Sequence, residues 1–286
     1  MSKVWLVTGS GRGLGREIVL AALAAGDRVV ATARDPQQLA DLQERYGERI
    51  RPVALDVSDA TGAGAAVEAA LATFGRLDVL VNNAGFGHMV PFEQTPVDDF
   101  RAQIDTNFYG VVNLTRAVLP VMRKQRSGHI IQISSVGGRV STPGLSAYQA
   151  AKWAVGGFTG VLAKEVGHLG IKVTTLEPGG MRTGWGAEAR RVVPDMLPDY
   201  EESVGHWLNI LRGYSGKEAS DPARVAAVVV KLASHANPPV HLLLGSDALQ
   251  FAGLSESARA EADLRWREVT LSTDYSAPSE LPEFPS

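Results

Sequence analysis

Short apolar runs alternate with longer amphipathic stretches along most of the chain, and this rhythm predicts alternating strands and helices. The strand-like runs are Val4 to Thr8, Val29 to Ala33, Pro52 to Leu55, Leu77 to Val81, Ile130 to Ile133, Val173 to Leu176 and Val240 to Leu244. The helical patterns are Ile18 to Leu23, Leu39 to Tyr46, Ala63 to Phe74, Val97 to Met122, Ala147 to Val166 and Pro222 to Ser234. This pattern predicts an α/β fold with a doubly wound, seven-stranded parallel sheet that helices cover on both faces.

Two regions interrupt the alternation of strands and helices. Residues 184–216 form a long insertion rich in aromatic and aliphatic side chains, which predicts a substrate lid rather than a disordered loop. Residues 273–286 contain three prolines, and we expect a loosely ordered tail there. Because no linker divides the rest of the chain, we assign residues 1–272 to one domain.

Composition narrows the class of protein. The net charge is −3 with no block of like charges, which disfavours a nucleic-acid partner. The chain has no cysteine, so disulfides and thiolate metal sites are excluded. No apolar run is long enough for a signal-peptide core or a bilayer span, and no His, Asp and Glu cluster has metal-ligand spacing. We expect a cytoplasmic protein with neither a membrane partner nor a catalytic metal.

The stretch from Ser134 to Lys152 carries the most reactive chemistry. Ser135 follows an apolar strand, at the end where open α/β sheets bind ligands. Tyr148 and Lys152 are four residues apart, which places both on one face of a helix. We expect the lysine charge to lower the tyrosine pKa from about 10, so that the phenol can exchange a proton with a carbonyl or alcohol. The alternative is an exposed helical pair without catalytic function.

A glycine-rich turn follows the first strand. Gly9, Gly13 and Gly15 lie between this strand and a helix, in a strand–turn–helix–strand unit of dinucleotide-binding type. Glycines let the backbone approach a pyrophosphate, which the free N–H groups of the helix attract. The alternative is a turn with a purely structural role.

Charged residues after the second strand indicate which dinucleotide binds. Arg34 occupies the position that discriminates between the ribose groups of NAD and NADP, and Arg12 adds a second guanidinium inside the turn. Two such groups can hold the 2′-phosphate of NADP, so we predict NADP(H), with NAD(H) possible. Asp35 is the competing partner for a ribose hydroxyl, and both arginines also fit plain surface charge.

Seven motifs in order make the chain resemble the short-chain dehydrogenase/reductase family. They are TGSGRGLG from Thr8, LDV at Leu55 to Val57, NNAG at Asn82 to Gly85, Asn107 within DTNFYG, Ser135, YQAAK at Tyr148 to Lys152 and PGGMRT at Pro178 to Thr183. The resemblance covers Lys3 to about Gly245. It implies a Rossmann-type fold and an enzyme that acts on CH–OH groups with NAD(P) as acceptor.

The resemblance also implies residue roles. Tyr148 would be the general acid/base, Lys152 would lower its pKa and hold the nicotinamide ribose, and Ser135 would position the substrate oxygen. Asn107 would hold a water that links Lys152 to solvent for proton relay. The implied cofactor contacts are Gly9, Ser10, Arg12, Gly13, Leu14, Gly15, Arg34, Asp56, Val57, Asn83, Ala84, Gly85, Tyr148, Lys152, Pro178, Gly179, Met181 and Thr183. One departure is Gly11, where many members have a polar residue, so one hydrogen bond of the turn is expected to be missing.

The expected substrate pocket is mostly apolar, which favours a medium or large hydrophobic ketone or secondary alcohol. Its expected lining is Phe86, Met89, Val90, Val136, Gly137, Val140, Gly180, Met181, Trp185, Met196, Tyr200 and Trp207. The SSVGG run, the insertion and the C-terminal extension most resemble the hydroxysteroid- and retinol-dehydrogenase-like branch of the family. Two alternatives stay open: an epimerase or dehydratase that oxidises its substrate transiently, and an NADP(H)-binding redox sensor without turnover.

The family commonly forms homodimers or homotetramers through two long helices, which here begin near Val97 and Ala147. We therefore expect a homo-oligomer. The C-terminal extension, Ser246 to Ser286, could block one of these contacts.

Overall fold

A seven-stranded parallel sheet forms the centre of the protein in this computed structural model, which describes residues 2–190 and 195–285. Its strands are β1 (Val4–Val7), β2 (Arg28–Ala33), β3 (Ile50–Ala54), β4 (Val79–Asn82), β5 (Gly128–Ile133), β6 (Ile171–Pro178) and β7 (His241–Leu244). Their spatial order is β3-β2-β1-β4-β5-β6-β7, and every pairing is parallel. The strand order reverses between β1 and β4, so the predicted doubly wound sheet is confirmed.

Helices cover both faces of the sheet. They are α1 (Gly13–Ala24), α2 (Ala40–Tyr46), α3 (Ala60–Phe74), α4 (Val97–Ile104), α5 (Gly110–Gln125), α6 (Ser146–Val166), α7 (Trp185–Ala189), α8 (His206–Tyr214), α9 (Pro222–Leu232), α10 (Ser246–Arg265) and α11 (Arg267–Leu271). Each parallel crossover needs such a helix, because the chain must return to the starting edge of the sheet before the next strand.

The core has two layers, one on each side of the sheet. Trp5 and Val7 of β1 point into a layer that α1 and α9 cover, whereas Val4 and Leu6 point into a layer that α3, α5 and α6 cover. This burial on both faces explains why the strands are continuous apolar runs rather than alternating ones.

The predicted helix from Val97 to Met122 is interrupted. The structure has α4, then one π-helical turn at Asp105–Tyr109, and then α5. A π turn inserts an extra residue into the helical hydrogen-bond ladder and is common at functional sites. Apolar spacing alone cannot reveal it, because the helical pattern resumes on the other side.

The C-terminal extension contains a helix that the sequence analysis did not predict. α10 follows Gly245, whose φ of +104° favours glycine. Most α10 side chains face solvent, so the helix lacks the apolar stripe from which helices are recognised. Residues 273–285 contain no helix or strand, and Phe284 packs on Trp266 with 5.6 Å between ring centroids.

The predicted lid, residues 184–216, is partly helical, with α7 and α8 separated by a 3-10 turn at Pro198–Tyr200 and a π turn at Glu201–Gly205. Residues 191–194 of this segment lie outside the described residues.

Candidate active site

The candidate residues converge at the carboxyl ends of the parallel strands. The glycine turn follows β1, the NNAG motif ends β4 and continues beyond it, and Ser135 follows β5. The segment Pro178 to Thr183 continues from β6. Because these strands are adjacent and parallel, residues far apart in sequence meet at one edge of the sheet.

Tyr148 and Lys152 lie one turn apart near the start of α6, and both are buried. The Lys152 ammonium donates to the carbonyl oxygen of Ile133 at 2.9 Å, and its Nζ is 5.6 Å from the centroid of the Tyr148 ring. Ser135 accepts the N–H of Gly137 at 3.0 Å through its hydroxyl oxygen and is hydrogen-bonded to Tyr148. The predicted serine, tyrosine and lysine therefore share one site.

The pKa of Tyr148 differs from the expectation. Burial raises it to about 12, and the hydrogen bond with Ser135 opposes this shift. Burial also lowers the pKa of Lys152 to about 8. The expected lowering of the tyrosine pKa by Lys152 is wrong for this geometry. The ammonium is bonded to the carbonyl of Ile133 and faces the ring, while the enclosed phenol loses the water that would stabilise its anion.

Asn107 is held in the π turn between α4 and α5. Its Nδ2 donates to the carbonyl oxygens of Phe86 at 2.7 Å and Gln103 at 2.8 Å. Its Oδ1 is buried and has no hydrogen-bond partner in the described part of the chain. A Cβ on Gly85 would lie 2.5 Å from this oxygen and 3.5 Å from Lys152 Nζ, so both polar atoms border the same space. A buried acceptor of this kind fits a small donor such as a water.

The NNAG motif braces the glycine turn. Asn83 Nδ2 donates to the carbonyl oxygens of Thr8 at 2.9 Å and Gly9 at 3.2 Å. The hydroxyl of Thr8 accepts the N–H groups of Asn83 and Ala84 at 2.9 and 3.0 Å. These bonds hold the loop after β4 against the turn after β1, and they explain why the two motifs occur together.

The turn itself fits a dinucleotide pyrophosphate. Gly9 and Gly13 have φ values of +66° and +56°, which favour glycine, and a Cβ on Gly15 would collide with the carbonyl of Gly9. No side chain caps the N-terminus of α1, which leaves its first N–H groups available to an anion. The Thr183 side chain lies 3.9 Å from the position of a Cβ on Gly13 and forms the opposite wall.

Of the predicted cofactor contacts, Ser10 and Leu14 are buried and Met181 is half-buried. Ser10 is fully buried and donates its hydroxyl to the carbonyl of Val7 at 2.8 Å, and Leu14 is buried in the core. Met181 packs against the same core layer and pairs with Ser220 in an isolated bridge. The hydroxyl of Ser10 is therefore already engaged.

Gly11, the departure from the family pattern, is covered by Gln38. A Cβ on Gly11 would lie 3.3 Å from Gln38 Cβ and would collide with its amide oxygen. The glutamine thus fills the space beside the turn.

Arg34, which follows β2, and Arg12, which lies in the glycine turn after β1, are both exposed. The carboxylate of Asp35 accepts the N–H of Gln37 at 3.0 Å and caps a 3-10 turn. Asp56 accepts the hydroxyl and the N–H of Ser58 at 2.7 and 3.0 Å. These bonds, and then the charge of Arg34, lower the pKa of Asp56. Both carboxylates therefore already have hydrogen-bond partners within the protein.

The insertion after β6 contacts the site through Trp185. The rings of Trp185 and Tyr148 have their centroids 5.0 Å apart. A Cβ on Gly87 would lie 2.8 Å from Tyr148 Cδ2 and 3.1 Å from Trp185 Cζ2, so only a glycine lets both rings pack there. Leu208, and Val204, which the sequence analysis did not single out, anchor the insertion by packing with Met89 and Leu145.

The expected lid residue Tyr200 has a different contact. Its hydroxyl donates to Glu93 at 2.5 Å, on the outside of the loop after β4. This bond attaches the insertion to that loop and keeps the phenol at the surface.

A hydrogen-bonded ring beside Asn107 also escaped the sequence analysis. His88 Nδ1 lies 2.8 Å from Asp99 Oδ1, Asp99 accepts from the Gln103 side chain at 2.9 Å, and Gln103 accepts the N–H of His88 at 3.2 Å. Of these contacts, the sequence indicates only the one between Asp99 and Gln103, because two residues four apart on a helix lie on the same face.

With the geometry established, comparison with known proteins identifies the family. The family model for short chain dehydrogenases matches residues 3–193. Oxidoreductase BOA17 of Botryotinia fuckeliana is 49% identical over 274 residues, covering 96% of this chain and 100% of the relative. The chain belongs to the short-chain dehydrogenase/reductase family, whose members are oxidoreductases acting on CH–OH groups with NAD(P) as acceptor.

A second relative is more distant. A 3-ketodihydrosphingosine reductase of Bacteroides thetaiotaomicron is 34% identical over 245 residues, covering 85% of this chain and 88% of the relative.

Solved structures agree with this assignment. A short-chain dehydrogenase from Streptomyces avermitilis superposes with a TM-score of 0.87 at 40% identity, covering 96% of this chain and 100% of that one. A metagenomic short-chain oxidoreductase in complex with NADP gives 0.68 at 29% identity, covering 85% and 97%. A 3-ketoacyl-(acyl-carrier-protein) reductase from Brucella melitensis in complex with NADH gives 0.74 at 27% identity, covering 86% and 98%.

Within residues 2–190 and 195–285, no group of three His, Cys, Asp or Glu side chains is placed to hold a metal ion. No helix of these residues has the length and apolar character to cross a membrane.

Proposed function

We propose that the protein is an NADP(H)-dependent oxidoreductase that interconverts a ketone or aldehyde and an alcohol on an apolar substrate, with Tyr148 as the acid/base. One arrangement of side chains carries the proposal. Ser135, Tyr148 and Lys152 share a site with the Oδ1 atom of Asn107, which has no hydrogen-bond partner among the described residues. This site lies beside a glycine turn that fits a dinucleotide. When bound, the dinucleotide contributes the gain or loss of a hydride.

The protein's own residues supply the proton and orient the substrate. Burial keeps the Tyr148 phenol protonated at neutral pH, which is the form that donates a proton to a carbonyl oxygen. Ser135 is hydrogen-bonded to the same tyrosine and holds the substrate oxygen beside it. In the direction of alcohol oxidation, the phenolate of Tyr148 accepts the proton, and the hydrogen bond from Ser135, which opposes the rise of the tyrosine pKa, stabilises that phenolate.

The relay behind Tyr148 involves Asn107 and Lys152. The free Oδ1 of Asn107 and the Lys152 ammonium both border Gly85, so a water there would accept from the lysine and donate to the amide oxygen. After Lys152 passes a proton toward Tyr148, this water would link the lysine to solvent, which would return a proton to it.

The preference for NADP(H) is supported by the two exposed arginines, Arg12 and Arg34. Asp35, the residue that would favour NAD(H), is engaged as the cap of a turn. We expect Arg34→Ala to lower kcat/KM with NADPH by about tenfold and to leave kcat/KM with NADH nearly unchanged, because only NADPH carries the 2′-phosphate. A wild-type preference for NADH would overturn this part.

An apolar substrate is supported by the lining of the site, in which Trp185 packs on Tyr148 and Met89 is buried below the insertion. The name of the relative from Bacteroides specifies a keto substrate, and this supports a ketone as the substrate of this protein. The hydroxysteroid- and retinol-dehydrogenase-like branch remains our interpretation.

The decisive experiment mixes the purified protein with NADPH and a panel of carbonyl compounds that runs from small polar ketones and sugars to large apolar ketones. Loss of absorbance at the reduced-nicotinamide band with apolar ketones supports the proposal. Turnover of only small polar ketones or sugars contradicts the apolar pocket. Binding without loss indicates a redox sensor, and isomerised product without net cofactor change indicates an epimerase.

We also propose that the protein is a cytoplasmic homo-oligomer. The lack of cysteine fits the reducing cytoplasm. A homodimer or homotetramer is supported by exposed apolar residues on the outer helices, such as Tyr109, Trp153 and Val161. Size-exclusion chromatography with light scattering tests the assembly, and a monomeric mass at micromolar concentration would contradict it.

A further inference from the structure

The helix α10 lies outside the region that the family model matches, yet it contacts two loops of the candidate site. Most of its side chains are exposed to solvent. Its polar contacts with those loops come from Asp247 in the first turn and from Ser255 and Glu256 in the middle of the helix.

Asp247 holds the segment that follows β6. Its Oδ2 accepts the N–H of Gly180 at 2.7 Å, and its Oδ1 accepts the N–H of Ala248 at 2.9 Å. A Cβ on Gly179 would collide with both carboxylate oxygens, so the aspartate fits directly against this backbone. Gly180 lies within the segment Pro178 to Thr183, which contributes four of the cofactor contacts that the family resemblance implies.

Glu256 and Ser255 hold the turn that follows Ser135. Glu256 forms an ion pair with Arg139 at 2.7 Å, and the Ser255 hydroxyl donates to the carbonyl of Arg139 at 2.9 Å. Arg139 directly follows the 3-10 turn Val136–Gly138, which Ser135 caps through its hydroxyl. A shift of Arg139 would therefore move the serine that faces Tyr148.

Arg139 also reaches the interior. Its second guanidinium nitrogen lies 2.7 Å from Glu177, whose side chain is only 4% exposed. Glu177 also contacts His241 of β7 at 2.9 Å and directly precedes Pro178. Arg139 thus connects the serine turn, the end of β6 and α10. Because its removal would leave a buried carboxylate unpaired, variants of Arg139 itself are poor tests.

We propose that α10 positions the active site, with Asp247 setting the cofactor segment after β6 and Glu256 setting the Ser135 turn through Arg139. This inference rests on the proposed function. One helix, rigid along its length, then fixes the distance between two loops that must act on the same substrate and cofactor. Asp247 and Glu256 are positioning residues, because each acts through another residue.

The first arm of the test measures NADPH binding to the full-length protein by isothermal titration calorimetry, which needs no turnover. We expect Asp247→Ala to raise the Kd for NADPH by about tenfold, because it removes a hydrogen bond between a backbone N–H and a charged acceptor. Asp247→Asn keeps one oxygen acceptor, so its Kd should lie between those of the wild type and Asp247→Ala.

The second arm measures steady-state kinetics with a ketone that the wild type reduces. We expect Glu256→Ala to lower kcat by about tenfold while the Kd for NADPH stays within twofold of wild type, because a displaced serine turn misaligns the substrate oxygen. Glu256→Gln keeps an acceptor for Arg139 and should recover part of kcat. Asp263→Ala, an exposed carboxylate on the same helix, is the matched control and should change neither quantity.

The proposal requires that Asp247→Ala weakens NADPH binding and that Glu256→Ala lowers kcat without weakening NADPH binding. Wild-type NADPH affinity in Asp247→Ala overturns it, and so does equal loss in Asp263→Ala. Lower melting temperatures with unchanged Kd and kcat would mean that α10 only stabilises the fold, which also overturns it. If the wild type binds NADPH but reduces no carbonyl, the proposed function fails, and the Asp247 arm alone decides the positioning role.

Discussion

The protonation state of Tyr148 depends on the residues that enclose it as well as on its own phenol group. Ser135 bonds to it, Trp185 packs on its ring, and Gly87 leaves room for both rings. This enclosure keeps the phenol in its proton-donating form. The residue pattern identified the pair Tyr148 and Lys152. Only the packing determined that burial, and not the charge of the lysine, controls the pKa of the tyrosine.

Replacing Tyr148 by Phe isolates the hydroxyl. The ring remains to pack on Trp185, so we expect NADPH affinity to change less than threefold. Turnover should fall by about a thousandfold, because no other group at this position can transfer the proton. Stopped-flow absorbance and calorimetric NADPH titration measure the two quantities, and a kcat near that of the wild type would exclude Tyr148 as the acid/base.

Replacing Trp185 by Ala tests the wall of the pocket. Loss of the indole should widen the space beside Tyr148, so the ratio of kcat/KM for a bulky ketone to that for a small one should rise by about tenfold. Trp185→Phe should stay close to the wild type, because it keeps an aromatic ring against Tyr148. Trp266→Ala, remote in sequence and packed on Phe284, is the control. An unchanged ratio would show that Trp185 does not limit substrate size.

Among the secondary-structure elements, α1 and α9 show how packing supports the cofactor turn. The two helices share one core layer, to which α9 contributes Val225 and Val229. α1 begins directly at the glycine turn, so its position determines where the free N–H groups point. α9 begins behind a capping residue, Asp221, whose carboxylate accepts the N–H of Ala223 at 2.8 Å.

Removing this cap tests the stability of α9 apart from catalysis. We expect Asp221→Ala to lower the free energy of unfolding by about 1 kcal/mol, because an N–H group at the start of the helix loses its acceptor. Asp221→Ser should retain most of the stability, since a hydroxyl can also cap. Urea denaturation measures the difference. Equal stability of Asp221→Ala and the wild type would contradict the capping role.

For the whole molecule, one buried histidine links pH to stability. His129 on β5 is 3% exposed and lies 3.0 Å from the Thr174 hydroxyl through Nε2. Burial, and secondarily the charge of Lys172, lowers its pKa to about 4. The unfolded chain therefore binds a proton near pH 6.5, whereas the folded protein resists it until about pH 4. Stability from this group is complete above pH 6.5 and falls between pH 6.5 and 4.

The His129→Gln variant isolates this contribution. Between pH 7 and pH 5, the wild type should lose about 2 kcal/mol of unfolding free energy more than the variant does, because glutamine does not titrate. Urea denaturation at both pH values in matched buffers gives the comparison, and it removes the effect of the carboxylates that both proteins share. Parallel losses in the two proteins would exclude His129 as the source.

Local pattern made the sheet and most helices predictable. The strands are apolar runs because both of their faces are buried, and a signal of that kind survives in a single sequence. The split of the predicted helix at Asp105–Tyr109 left no such signal, and α10 has too little buried surface to create one. The sequence pattern nominated Ser135, Tyr148 and Lys152 together, and the family resemblance added Asn107.

The sequence by itself determined the order of strands and helices, the glycine turn and the set of reactive side chains, because each depends on neighbours a few residues away. Only the tertiary structure decided how buried Tyr148 is, which partner Lys152 holds, and that Asp247 and Glu256 reach the two active-site loops. Those properties depend on contacts between residues up to 117 positions apart, such as Arg139 and Glu256. Burial and long-range contact arise only when the chain is folded, so no local spacing encodes them.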